Sequence, residues 1–227
     1  MMSRHGTRGK CIFCQNDYTR TGMTRHLETC KTRKAAIAAA SAPGIRLFHL
    51  TVQGTYNAAY WMNLEIPASA TLQDLDSFLR DIWVECCGHL SSFEILGSTY
   101  MSLVDLDWGD GLDMNHELGQ LLTPGLRFAY QYDFGSTTLL ALRSVSERQG
   151  VASKASKGKL VQVLARNDPP AHQCEACGKP ATLVCTYCRD APLCDECAET
   201  HACGDEGLLP VVNSPRMGTC GYTGNAW

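Results

Sequence analysis

The sequence predicts an α+β body, a small central sheet with one packed helix, flanked by two cysteine-rich modules. Three observations support this. Eleven of the thirteen cysteines fall in metal-ligand spacings, and only at the two ends of the 227-residue chain. The stretch between them carries short apolar runs, one strictly alternating, bounded by Gly, Pro or Asp. Within that stretch, Leu72 to Cys86 repeats apolar residues at helical spacing.

The first module covers residues 1–40. Cys11, Cys14, His26 and Cys30 are spaced Cys-x2-Cys-x11-His-x3-Cys. A CxxC knuckle on a short hairpin places two thiolates on one ion. His26 and Cys30, four apart on one helix face, supply two more. Tyr18, Met23 and Leu27 are available to fill the small core, and Ala35 to Gly44 extends the helix until Pro43-Gly44 breaks it.

The body covers residues 45–165. Ile45 to Val52 reads as a strand apolar on both faces, and Tyr60 to Ile66 as a second strand ended by Pro67. Thr71 caps a helix with Asp74 in capping-box position. Leu72, Leu75, Phe78, Leu79, Ile82, Trp83 and Cys86 form its apolar face, so Cys86 reads as a buried structural thiol. Its neighbour Cys87 diverges from it on a helix, and His49 and His89 read as packing residues. Ser91 to Leu96 is a strand, and the acidic, Gly-rich residues 105–119 are a loop. Leu126, Phe128, Tyr130 and Tyr132 alternate strictly, Asp133 to Ser136 turns the chain, and Thr137 to Val145 returns as the hairpin partner. Gly150 to Lys159 is a Ser/Lys/Gly link, and Leu160 to Leu164 a last strand. The order strand–strand–helix–strand–hairpin suits a sheet with a helix on one face, compatible with a β-grasp arrangement.

The C-terminal module covers residues 172–227, after the separator Asn167 to Ala171. Cys174, Cys177, Cys185, Cys188, Cys194, Cys197, His201 and Cys203 make eight ligands, enough for two tetrahedral ions. Interleaving puts Cys174, Cys177, Cys194 and Cys197 on one ion, and Cys185, Cys188, His201 and Cys203 on the other. Cys203 is preferred as eighth ligand because residues i and i+2 share a face of an extended segment. Cys220 is the alternative. Twelve ligands at these spacings imply three Zn²⁺ ions.

Three resemblances follow from these residues. The first quartet resembles a CCHC zinc finger over about 25 residues, with one residue fewer than usual between Tyr18 and Met23. Residues 174–203 resemble B-box-type cross-brace modules, which implies protein contacts. The segments TLQDLDSFLRDIW, HLSSFEI, LLTPGLRFAYQYDFGSTT and NSPRMGTCGYTG resemble the plasmid pRiA4b ORF-3-like family, also described as transposon-passenger resolvase-like. That resemblance implies a compact α+β fold and no settled activity. A Trp expected shortly after the DFGS turn is replaced by Thr137-Thr138-Leu139.

Charge is segregated. Residues 1–40 carry eight Lys/Arg against two acids, a net +6, and residues 45–149 carry five against thirteen, a net −8. The finger's recognition positions fall on Thr19, Thr21, Gly22 and Arg25, of which only Arg25 suits a guanine. Non-specific phosphate contacts are expected from Arg20, Arg25, Lys31, Arg33 and Lys34, together with Arg4, Arg8 and Lys10. Asp133-Phe134-Gly135 lacks every other kinase motif and reads as a turn. Asp105 to Gly111 departs from a calcium loop in its Gly position and missing Glu. There is no GxSxG, HExxH or P-loop, so no enzyme is expected. No apolar run is long enough for a membrane span, and the polar, basic Met1 to Lys10 is unlike a secretory leader. The expectation is a cytoplasmic, non-enzymatic zinc adaptor that binds protein through its body and C-terminal module and nucleic acid weakly through its finger. The alternative is a nucleic-acid-binding accessory or regulatory factor of a mobile element or defence system.

Overall fold

In the computed structural model, residues 6–39, 44–104, 111–151 and 160–224 are described. The expectations for Arg4, the calcium-like run 105–110 and most of the 150–159 link lie outside them. The chain divides into two compact units, residues 1–78 with 90–168, and residues 79–89 with 169–227.

The first unit is built on one large, mostly antiparallel sheet. In chain order its elements are β1 (Arg8–Cys11), β2 (Asp17–Thr19), α1 (Arg20–Thr29), α2 (Lys31–Ala38), β3 (Ile45–Gly54), β4 (Trp61–Pro67), α3 (Leu72–Leu79), β5 (Ser91–Ile95), β6 (Ser98–Met101), β7 (Leu112–Asp113), α4 (Leu118–Leu121), β8 (Arg127–Tyr132), β9 (Thr138–Gly150) and β10 (Gln162–Asn167). The strands are ordered β2-β1-β10-β4-β3-β9-β8-β5-β6-β7, with β6 and β7 the parallel pair. The fold is therefore mixed α/β, but the expected small sheet, β-grasp arrangement included, gives way to ten strands. The finger hairpin extends one edge through the pairs Gly9↔Asn167 and Cys11↔Ala165, while β6 and β7 extend the other.

Local expectations hold where the sequence pattern is strong. Thr71 and Asp74 close the capping box reciprocally: the Thr71 amide donates to Asp74 Oδ2 at 2.8 Å and the Asp74 amide to Thr71 Oγ1 at 3.1 Å. Along β8, Phe128, Tyr130 and Tyr132 are buried while Arg127 is exposed. Asp133 adopts φ 65° and its Oδ1 accepts from the amides of Gly135 and Ser136, an Asx turn that makes the DFG tripeptide a hairpin corner.

Strand β4 is buried at every position despite carrying Asn63 and Glu65. The finger accounts for this. Trp61, Asn63 and Glu65 alternate onto one face, where Trp61 packs with Cys11, Met23, Leu27 and Cys30. Thr24 Oγ1 lies 3.2 Å from Asn63 Oδ1, and Arg33 donates to Glu65. Gly9 is obligatory at this junction, because a Cβ there would run into the Arg166 carbonyl and come within 3.1 Å of the Trp61 ring.

The second unit opens where α3 ends in a π-helical turn, Arg80–Val84. Ile82, Trp83 and Val84 are buried. The rest is a three-stranded sheet ordered β12-β11-β13, made of β11 (Leu183–Cys185), β12 (Ala191–Leu193) and β13 (Leu208–Pro210), with α5 (Asp195–Glu199). Its small core consists of Cys174, Cys185, Leu193, Cys194 and Ala198, so ligands and core coincide.

Candidate metal centres

Among the described residues, four groups of Cys and His bring their ligand atoms within 4.8 Å of one another. Three are the quartets expected from spacing: Cys11, Cys14, His26 and Cys30; Cys174, Cys177, Cys194 and Cys197; and Cys185, Cys188, His201 and Cys203. The fourth, Cys86, Cys87, His89 and Cys220, was not anticipated. Cys220 is thus placed apart from the cross-brace, and Cys203 joins Cys185. All thirteen cysteines are free thiols, and all thirteen, with His26, His89 and His201, fall into the four quartets with none left over.

In the finger, β1 and β2 form the knuckle and α1 presents His26. Thr19 caps α1 by accepting from the Gly22 amide, and Met23 and Leu27 face the core. The Tyr18 ring stacks on His26 at 4.0 Å between centroids, which fixes the imidazole plane, and His26 Nε2 lies 3.2 Å from Cys14 Sγ. In the cross-brace, Cys177 and Cys194 sulfurs are 3.6 Å apart. Cys188 Sγ lies 3.5 Å from His201 Nε2 and 3.4 Å from Cys203 Sγ. Zn–S bonds of about 2.3 Å at tetrahedral angles give S···S edges of about 3.8 Å, whereas a disulfide needs about 2.0 Å. The donor sets and spacings fit a thiophilic tetrahedral cation.

Within the two C-terminal quartets the thiols differ in acidity. Backbone hydrogen bonding from Cys194, reinforced by the Cys177 and Ala176 amides, lowers the Cys174 thiol to about 6 despite burial. Burial pushes Cys185 up, but His201 and the Cys188 and Tyr187 amides outweigh it, leaving about 7. Hydrogen bonding to neighbouring thiols drives Cys197 up to about 12. Three or four sulfurs this close cannot all ionise together without a cation among them.

Cys86 lies beyond the π turn rather than on the helix face, and it is half-buried, with Cys87 exposed. The expectation of a sequestered structural thiol is corrected, as is that of His89 as a packing residue. His49, by contrast, is buried and bonded through Nε2 to Asn63 Oδ1 at 2.9 Å. Burial lowers it to about 4.

The cationic residues of the finger separate into two groups. Arg25, Lys31 and Lys34 are exposed. Arg33 is 7% exposed, its Nη1 donating to the Leu27 carbonyl and its Nη2 to Glu65 Oε1, both at 2.8 Å. Its expected phosphate contact is therefore corrected: Glu65 needs the charge, and the side chain faces inward. Arg20 is half-buried and bonds Gln53. A cleft of about 260 Å³ beside α2 is lined by Arg33, His49, Glu65 and Arg148, among others. Both guanidiniums there turn onto Glu65, with Arg148 Nε 2.8 Å from Oε1. Among the described residues, no helix is long and apolar enough to cross a membrane.

No protein-family model matches the chain, and no curated protein matches it. Among solved structures, it is similar to the crystal structure of a protein of unknown function, MM3350 from Methanosarcina mazei Go1. The identity is 20% and the TM-score 0.43, over 48% of this chain and 66% of that one.

Proposed function

We propose that this chain is a non-enzymatic, zinc-stabilised adaptor. Four complete Cys/His quartets carry this reading: each supplies four protein ligands, the arrangement of structural zinc, whereas catalytic zinc keeps a position for water. Zn²⁺ is the metal proposed, and its binding free energy becomes folding free energy for the small ligand-rich core of the second unit. A reducing compartment such as the cytoplasm suits thirteen free thiols. The assignment of residues 45–165 to the pRiA4b ORF-3-like family is part of this reading and rests on the segments quoted above.

The C-terminal module is proposed as the main protein-binding surface. Tyr187 lies between the ligands Cys185 and Cys188 and is 65% exposed, an aromatic side chain presented on a metal-fixed knuckle. The finger is proposed to add weak, sequence-independent nucleic-acid contact through Arg25, Lys31 and Lys34. The exposure of those three cations favours the second reading, an accessory nucleic-acid-binding factor of a mobile element or defence system.

Photo-crosslinking in the native host separates the two readings. A photoreactive residue in place of Tyr187 should yield defined protein adducts, with few nucleic-acid adducts from one in place of Arg25. Dominant nucleic-acid adducts at position 25 and none of protein at 187 would replace the adaptor reading with the accessory-factor one.

A further inference from the structure

We propose that Cys86, Cys87, His89 and Cys220 form a fourth zinc site, a clasp that ties the loop after the π turn to the C-terminal tail within the second unit. The choice of metal rests on the zinc reading of the other quartets. The site itself rests on its own geometry.

The ligand atoms are spaced for a tetrahedral ion. Cys86 and Cys87 sulfurs are 3.5 Å apart, Cys87 and Cys220 sulfurs 3.8 Å, and His89 Nε2 lies 3.0 Å from Cys87 Sγ and 3.2 Å from Cys220 Sγ. Adjacent side chains diverge on a helix, but these two cysteines follow Glu85, whose backbone is extended (φ −70°, ψ 123°). The loop is braced to bring them together. Arg80 donates to Glu85 Oε2 and to the His89 carbonyl, each at 2.8 Å, and Glu85 Oε1 accepts from the Gly88 amide at 2.6 Å. Gly88, at φ 79°, turns the chain so that His89 faces the two sulfurs.

The tail is built to meet this loop. Ser214 Oγ donates to the Trp83 carbonyl at 2.6 Å and accepts from the Arg216 amide at 2.9 Å. Arg216 is fully buried, and its Nη2 lies 3.3 Å from Cys86 Sγ, the kind of outer hydrogen bond that orients a metal-bound sulfur. Cys220 holds φ 51° between Gly218 at 79° and Gly221 at 68°, a left-handed conformation that a non-glycine residue adopts at a cost. A ligand role gives that conformation a purpose. The tail segment NSPRMGTCGYTG thus delivers one sulfur and the guanidinium that supports another.

This quartet differs from the other three in having no buried member, with Cys87 and Cys220 exposed. It should be the first of the four to lose its ion to a chelator.

The deciding experiment is zinc stoichiometry of the full chain, purified with thiols reduced, by elemental analysis and native mass spectrometry. Cys220→Ser and Cys87→Ser should each hold one ion fewer than the wild type, while His89→Cys, which keeps four ligands, should hold the full count. Hydrogen exchange of residues 214–222 should quicken in Cys220→Ser. The decisive quantity is the difference of one ion, whatever the wild-type total. If wild type and both serine variants hold the same number, the clasp is overturned, even if that number is three. A wild-type count of one that falls to none in the variants would keep the clasp and defeat the zinc reading of the other quartets.

Discussion

Arg33 and Glu65 form a buried ion pair, Nη2 to Oε1 at 2.8 Å, with side chains 9% and 5% exposed. One residue belongs to α2 of the finger and the other to β4 of the sheet. The finger is therefore a cover for the polar face of β4 as well as a candidate metal-binding unit. Arg148 shares the same carboxylate.

Glu65→Gln leaves two guanidiniums with no carboxylate on a largely buried surface. Removing one partner of a buried pair costs about 3–5 kcal/mol. Chemical denaturation should show a loss of that order, and Arg33→Ala a smaller one, because Arg148 still pairs with the carboxylate. The same Arg33→Ala variant should leave the salt dependence of oligonucleotide binding unchanged, because that charge faces inward. Arg25→Ala or Lys31→Ala should each flatten the log–log salt slope by about 0.9. An equal change of slope for Arg33→Ala would show that the pair opens on binding.

His49 makes acid stability a test of the same junction. Burial lowers it to about 4 from an ordinary 6.5, with the Asn63 bond acting in the opposite direction and Arg33 and Glu65 as smaller opposed influences. Because the folded value lies below the unfolded one, the unfolded chain binds the extra proton first. Stability is thus unaffected above pH ~6.5 and falls as pH drops toward ~4, by up to about 3 kcal/mol. A His49→Gln variant should lose less stability than the wild type across that window. Release of any bound metal would act on both proteins alike, so the difference between their pH curves is the readout. Parallel curves would mean that His49 takes up its proton equally in the folded and unfolded chains.

Loss of the first ion should be felt in the sheet. Cys11, Met23, Leu27 and Cys30 share one apolar cluster with Trp61, Leu164 and Ala165. Cys30→Ser should therefore speed amide exchange at β10, where Arg166 and Asn167 pair with Lys10 and Gly9. Protection unchanged at β10 would make the finger an independent appendage.

What was legible in the sequence was local. CxxC pairs and a His four residues before a Cys declare themselves because ligand spacing is set by knuckle and helix geometry. The Thr71–Asp74 box and the alternation through Tyr132 are equally short-range. The fourth quartet was hidden because Cys220 lies far along the chain from Cys87, and because apolar spacing ran on through Cys86 although the helix ends in a π turn before it. The size of the sheet was hidden for a similar reason: the pairing of β1 with β10 joins segments more than 150 residues apart. Two signals did point to it. Asn63 and Glu65 are polar positions in an otherwise apolar strand and call for a covering partner, and Gly9 marks a close backbone approach.

Gly9 offers the clearest separation of docking from metal binding. Gly9→Ala leaves all four finger ligands in place but drives a methyl group into the Arg166 carbonyl and against Trp61. Overpacking of this kind costs about 1–3 kcal/mol. The ion should be retained while the hairpin detaches, read as faster exchange along β1 and β10 and a changed environment for Trp61. Detachment also releases Arg20 from Gln53 and Arg33 from Glu65. Two further cations then become available to phosphates, so oligonucleotide affinity should rise and the salt slope steepen by about 1.8, at about 0.9 per contact. A destabilised variant with unchanged zinc content and an unchanged slope would show that docking does not hold nucleic-acid binding in check.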